Sequence, residues 1–289
     1  MKPFRRWLRR AVSPRTLARA NAIAHADDRL IALEDRCRRL AALVLRERHP
    51  HLAPPEHEWA LYSQNGEDAL TLQILDRIAA PHHAFLEIGV EDGLECNSAI
   101  LAYVFGWRGL MIEADPIKCA AAQRALRRLA PQVTAKHAFA TAENINSLAA
   151  EAQLPEDLGL LSIDVDGVDY WLWKALTAVR PRLVIVEYNA CIPPGESLTV
   201  PYDAAFRSDG FYHGASLKAL DTLAREKGYA LVAADAAGVN AFFVREDLLA
   251  AAGGPRTVEE CYRPHAARSL HTPPADQWAQ IRHRTWVHI

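Results

Sequence analysis

The chain has 289 residues, 50% of them hydrophobic, with 33 Lys and Arg against 35 Asp and Glu. That length supports a sizeable core and one α/β domain with appendages, and a formal net charge of -2 gives no support for a general nucleic-acid binder. The five cysteines, Cys37, Cys96, Cys119, Cys191 and Cys261, are odd in number, scattered and without C-x-x-C or His/Cys ligand spacing. This excludes a disulfide scaffold and a structural zinc and points to a reducing, cytoplasmic compartment. No apolar run approaches the roughly 20 residues of a membrane span, and the arginine-broken N-terminus lacks the apolar centre of a signal peptide.

Residues 1–50 hold thirteen Lys/Arg and five Asp/Glu, which puts about +8 there and about -10 in the remainder. Leu30, Leu33, Cys37, Leu40 and Val44 recur at three- and four-residue steps, which predicts helix. Residues 1–55 thus read as a basic helical arm and linker, ending in the breakers Pro50, Pro54 and Pro55. The stripe fits a homo-oligomer seam or a helix packed on the body. Phe4, Trp7 and Leu8 among Arg5, Arg6, Arg9 and Arg10 fit peripheral contact with an anionic inner membrane face, or a solvated arm.

The body, residues 56–250, begins with YSQNGEDALTLQILDRI. Ser63 or Asn65 is the expected N-cap, Glu67 and Asp68 occupy the first turn where the macrodipole favours anions, and Leu70, Ile74, Leu75 and Ile78 form the buried face. The cluster reads either as a helix cap alone or as a polar border to a cofactor. FLEIGVEDG, residues 85–93, reads as a strand, a tight turn and a helix start. Ligands bind open α/β sheets at such turns.

Its spacing, E-x-G-x-x-x-G, differs from the dinucleotide fingerprint, and Glu87, Glu91 and Asp92 crowd the turn with acids. A pyrophosphate is repelled by that charge, whereas the sulfonium and ammonium of S-adenosylmethionine are not. GLMIEADP, residues 109–116, predicts a second strand ending in Glu113, about 20 residues beyond the loop, where a carboxylate receives ribose hydroxyls. Residues 116–129 predict a helix and 133–139 a third strand. The ATAENIN turn then offers Glu143 and Asn144 for adenine edges, or simply as turn residues.

LGLLSIDVDG, residues 158–167, is apolar until Asp164, and PRLVIVEYNA delivers Glu187 and Asn189. Strands this apolar are buried on both faces, and oxygen ligands at the ends of two parallel neighbours suit Mg²⁺ or Mn²⁺; helix capping by Asp166 or Asp169 within a hydrogen-bond network is the other reading. His213, in FYHGASLKAL, has the chemistry of a general base or is a hydrogen-bonding surface residue. Residues 229–234 and 240–244 predict a closing antiparallel pair. The expected fold is Rossmann-like α/β, doubly wound and mostly parallel, with an irregular tail over 251–289.

YSQNGEDA, FLEIGVEDG, GWRGLMIEADP, LLSIDVDGVDYWLWKAL, RLVIVEYNA and GVNAFFV together resemble the FkbM-type and related class I S-adenosylmethionine-dependent methyltransferases, over about residues 61–244. The resemblance implies that Glu87, Gly89 and Gly93 form the cofactor loop, that Glu113 holds the ribose and that Asp164 sits beside the methyl-transfer centre. It also implies a hydroxyl acceptor on a sugar, glycan or small secondary metabolite. IDVDGVDY followed by EYN is similar to the metal-dependent catechol-type O-methyltransferases, which implies Asp164, Glu187 and Asn189 as metal ligands. Two departures stand out: Tyr188 separates the acid from the amide, and Glu91 stands where a middle glycine is common. A non-catalytic binding or assembly protein docked through its basic arm, and an NAD(P)-dependent sugar-modifying enzyme, are the competing expectations.

Overall fold

The computed structural model describes residues 60–289; the basic arm of residues 1–55, with its oligomer and membrane readings, lies outside the described residues. Helix α1 (Glu67–Ile78) leads into β1 (Ala84–Ile88), α2 (Ala99–Tyr103), β2 (Arg108–Glu113), α3 (Pro116–Leu129) and β3 (Val133–His137). The chain continues through α4 (Ile145–Glu151), β4 (Leu160–Ile163), α5 (Asp169–Ala175), β5 (Leu183–Glu187) and the short β6 (Leu198–Thr199). Helix α6 (Leu217–Glu226) and strands β7 (Tyr229–Ala234) and β8 (Asn240–Arg245) close the main sheet.

Seven strands form that sheet in the order β3-β2-β1-β4-β5-β8-β7. The first five are parallel, and β8 runs antiparallel to both β5 and β7. This is a Rossmann-like, doubly wound α/β fold whose strand order reverses between β1 and β4, the place where such sheets open a crevice. All residues of β1, β4 and β5 are buried, as strands covered on both faces must be. Leu86, Ile88 and Ile163 pack on one face with Leu148 of α4, Trp173 of α5 and Leu220 of α6. Phe85, Leu160 and Ile185 pack on the other with Ile74 of α1, Ile100 of α2 and Ala122 of α3.

Local chemistry explains most element ends, and two differ from expectation. Helix α3 starts as anticipated, with Pro116 in the first turn and the Asp115 side chain accepting from the backbone N–H of Ile117 and Lys118. Helix α1 is capped by neither Ser63 nor Asn65. It begins after Gly66 in the left-handed region (φ 95°), and Ser63 Oγ instead accepts from Asp68 N while Asp68 Oδ2 accepts from the backbone N–H of Leu61, Tyr62 and Ser63. This reciprocal pair closes a wider loop than a capping box does.

The second correction concerns residues 251–289, expected to be irregular. They form α7 (Leu249–Ala252), α8 (Val258–Cys261), α9 (Ala266–Ser269), α10 (Pro274–Ile281) and β9 (Val287–His288). Strand β9 pairs antiparallel with β6, and Trp286 stacks edge-on against Tyr212. The helices are too short for a periodic pattern to show: Ala252 of α7 and Val258 and Cys261 of α8 join the two main core clusters, and Ile281 of α10 packs with Cys191, Ile192, Leu198 and Val200.

Candidate functional site

A cleft of about 890 Å³ opens beside the carboxyl ends of β1, β2, β4 and β5. Gly89, the first loop residue after β1, has φ +85°, and a Cβ there would stand 1.6 Å from the backbone oxygen of Asp164. Only glycine lets the two loops at the sheet's switch point pass this closely. Glu91, at the position where a middle glycine is common, also adopts the left-handed region (φ 52°). Its backbone N–H donates to Glu113 Oε2 at 2.7 Å and its side chain pairs with Lys118 at 2.6 Å, which holds a conformation costing a non-glycine residue roughly 1 kcal/mol or more.

Glu87 and Glu113 both border the cleft and both organise the backbone. Glu87 accepts from the N–H groups of Asn97 and Ser98, each at 2.9 Å, and from the Ser98 hydroxyl. Glu113 Oε1 accepts from Asp115 N at 2.8 Å. Each oxygen of Glu113 thus carries one backbone bond, and with two lone pairs per oxygen it can take one more donor. Gly93 stands apart from the wall: a Cβ there would meet Ala122 of α3 at 3.1 Å, so it serves helix packing.

Glu143 and Asn144 do not border the cleft, whose neighbouring wall is made by Ala138, Phe139 and Ala140. The Asn144 amide accepts from Thr141 N and donates to Phe139 O, closing the turn, and Glu143 accepts from the Tyr202 hydroxyl at 2.6 Å. Phe139 is 42% exposed, and the Arg207 guanidinium lies 5.1 Å from its ring centre.

Among the described residues, Asp164, Asp166 and Glu187 bring one carboxylate oxygen each within 4.8 Å of one another. Asp169 sets the loop: fully buried, it accepts from Val165 N at 2.8 Å and Gly167 N at 2.9 Å, which turns Asp166 into the left-handed region (φ 55°) beside Asp164. Burial, with the neighbouring acids, pushes Asp164 and Glu187 well above the usual carboxylate range, while Arg268 draws Glu187 back down. Glu187 Oε2 is buried with no hydrogen-bond partner. Three converging carboxylate oxygens are a donor set that fits a hard divalent cation.

Asn189 stands outside this group. It is buried, its amide donates to Phe211 O at 2.9 Å and His213 O at 2.7 Å, and its oxygen accepts from Cys191 N at 2.9 Å. The intervening Tyr188 has the consequence that residues 187 and 189 do different work: Glu187 faces the cleft and Asn189 ties the loops behind it. Asp166 was legible in the sequence only as a capping residue.

His213 is buried rather than on the surface, and its Nε2 lies 2.6 Å from Arg268 Nη1. Burial, then Arg268 and His265, lower its pKa to about 3, so it is a neutral imidazole and a poor proton acceptor near neutral pH. Arg268 and His265 also line the cleft. They come from the tail, where no local pattern distinguishes them from other surface residues.

No protein-family model and no curated protein matches this chain. Among solved structures it is similar to an O-methyltransferase from Bacillus cereus in complex with SAH, at 18% identity over 72% of this chain and 89% of that chain, with a TM-score of 0.41. It is similar to magnesium protoporphyrin IX methyltransferase from Synechocystis PCC 6803 with bound SAM, at 11% identity over 62% and 77% of the two chains and a TM-score of 0.39. A third is the N-terminal domain of EvdMO1 in the presence of SAH and D-fucose, at 14% identity, 72% and 94% coverage and a TM-score of 0.41. The chemistry of the cleft therefore rests on its own residues.

Proposed function

We propose that the chain is an S-adenosylmethionine-dependent methyltransferase that methylates a hydroxyl of a sugar, glycan or small secondary metabolite. The observation that supports this reading is the sign of the cleft. Acids outnumber cations around it even with the buried Asp164 and Glu187 left out: Glu67, Glu87, Glu91, Glu95, Glu113, Asp115 and Asp166 against Lys118, Arg207 and Arg268. Two like charges about 4 Å apart repel by roughly 4 kcal/mol at an effective dielectric of about 20, so a pyrophosphate is disfavoured and a sulfonium with an α-ammonium is favoured.

In this reading Gly89 lets the cofactor approach the backbone, and the free lone pairs of Glu113 receive the ribose hydroxyls. Asp164 stands beside the methyl-transfer centre, and the acceptor hydroxyl gives its proton either to Asp164 as a carboxylate or to solvent when a divalent cation is bound there. Mg²⁺ or Mn²⁺ held by Asp164, Asp166 and Glu187 would polarise the acceptor hydroxyl and lower its pKa. Most of the remaining acceleration comes from positioning the two substrates. The loops after β5 and the tail, carrying Arg207, His265 and Arg268, form the acceptor side.

Calorimetric titration tests the reading. S-adenosylhomocysteine should bind and NAD should not; the reverse result overturns it. Asp164→Ala should keep cofactor affinity within a few-fold and lose transfer to hydroxyl acceptors. Cofactor binding by the wild type with no transfer to any acceptor supports the assembly-protein alternative instead.

A further inference from the structure

Two buried polar atoms face each other beside the acid cluster. His213 Nδ1 and Glu187 Oε2 are 3.9 Å apart, and neither has a hydrogen-bond partner. They come from separate parts of the chain, Glu187 from the end of β5 and His213 from the loop before α6. Leaving a buried polar atom unpaired costs about 1–3 kcal/mol, so a pair of them in register calls for a reason.

Arg268 supplies it. A guanidinium has donors only, so at 2.6 Å from Nη1 the Nε2 of His213 must accept. The imidazole proton then sits on Nδ1, the atom turned toward Glu187. The order Arg268, His213, Glu187 runs from the tail through the loop to the cleft, with each group fixing the orientation of the next.

We propose that His213 is a positioning residue for Glu187: Arg268 locks its tautomer, and its Nδ1–H closes onto Glu187 Oε2 when a divalent cation is drawn to the carboxylates of Asp164, Asp166 and Glu187. The inference rests on the cation reading of those three acids. A shift of about 1 Å brings 3.9 Å to hydrogen-bond length. Groups that orient a metal-bound side chain in this way affect metal affinity by about 10–100-fold. His213 is thereby reassigned from the general base expected of the sequence to a fixed donor.

Mn²⁺ binding to the full chain, followed by electron paramagnetic resonance without cofactor or acceptor, tests it. His213→Asn places an amide N–H where Nδ1 stands and should bind within about 3-fold of wild type. His213→Gln, equally polar but with its amide at the Nε2 position, should lose about 10–100-fold. A merely structural histidine would not separate these two variants. Nitrogen-15 spectra of the wild type should show the proton on Nδ1. Equal affinity of the asparagine and glutamine variants, or a proton on Nε2, overturns the inference while leaving the cation site standing; absence of Mn²⁺ binding in the wild type overturns both.

Discussion

Gly89 and Asp164 meet across the switch point of the sheet with no room for a methyl group, a Cβ at Gly89 falling 1.6 Å from the Asp164 carbonyl oxygen. The same two loops present one wall of the cleft and the first carboxylate of the acid cluster. Gly89→Ala must push them apart as well as strain a residue at φ +85°. A loss of more than about 3 kcal/mol is expected, read from urea denaturation, with a parallel loss of S-adenosylhomocysteine binding by calorimetry.

Glu113 is buried and holds the N–H groups of Glu91 and Asp115. Glu113→Ala removes both anchors, each a bond to a carboxylate of about 1.5–3 kcal/mol, together with the ribose partner proposed above. Cofactor affinity should fall by about 10–100-fold. Lys118→Ala is the control: its pair with Glu91 is about half exposed on both sides, and such pairs contribute about 1 kcal/mol or less. Equal effects of the two substitutions would contradict this ordering.

Asn189 and Glu187, two residues apart, should separate cleanly in experiment. Asn189→Ala deletes three hydrogen bonds of a buried side chain, two of them fully buried, and is expected to lower stability by about 2–4 kcal/mol, visible as a reduced Tm. Glu187→Ala removes an oxygen that has no partner; it should abolish Mn²⁺ binding while leaving the Tm near or above the wild-type value.

Asp68 gives the fold a pH signature of unusual sign. Burial raises its pKa to about 6, above the ordinary aspartate value of about 4, so the folded state holds a proton that the unfolded state releases. Its contribution to stability is complete below about pH 4 and is lost as pH rises through 6. The span corresponds to roughly 3 kcal/mol. Asp68 Oδ1 has no partner, whereas Oδ2 accepts from three backbone N–H groups. An amide can present its oxygen to those donors, so Asp68→Asn should flatten the decline in urea midpoint between pH 4 and 7.

What the sequence determined by itself is the framework. Apolar runs such as AFLEI and LVIVE, each with one acid at or near its end, bury both faces, so strand identity, parallel packing and the acids at strand ends follow from the order of residues, and Pro116 after Asp115 marks the start of α3 correctly. The glycine and carboxylate order around Gly89 and Glu113 was likewise visible, because a tight turn leaves a local signature. The tertiary structure decided which oxygens converge. Asp166 joins Asp164 and Glu187 because Asp169 folds the loop after β4, and Asn189 leaves the group because backbone from residues 191, 211 and 213 claims its amide. His213, Arg268 and the tail that covers them depend on contacts between segments far apart in the chain, for which short helices and isolated polar residues leave no periodic trace.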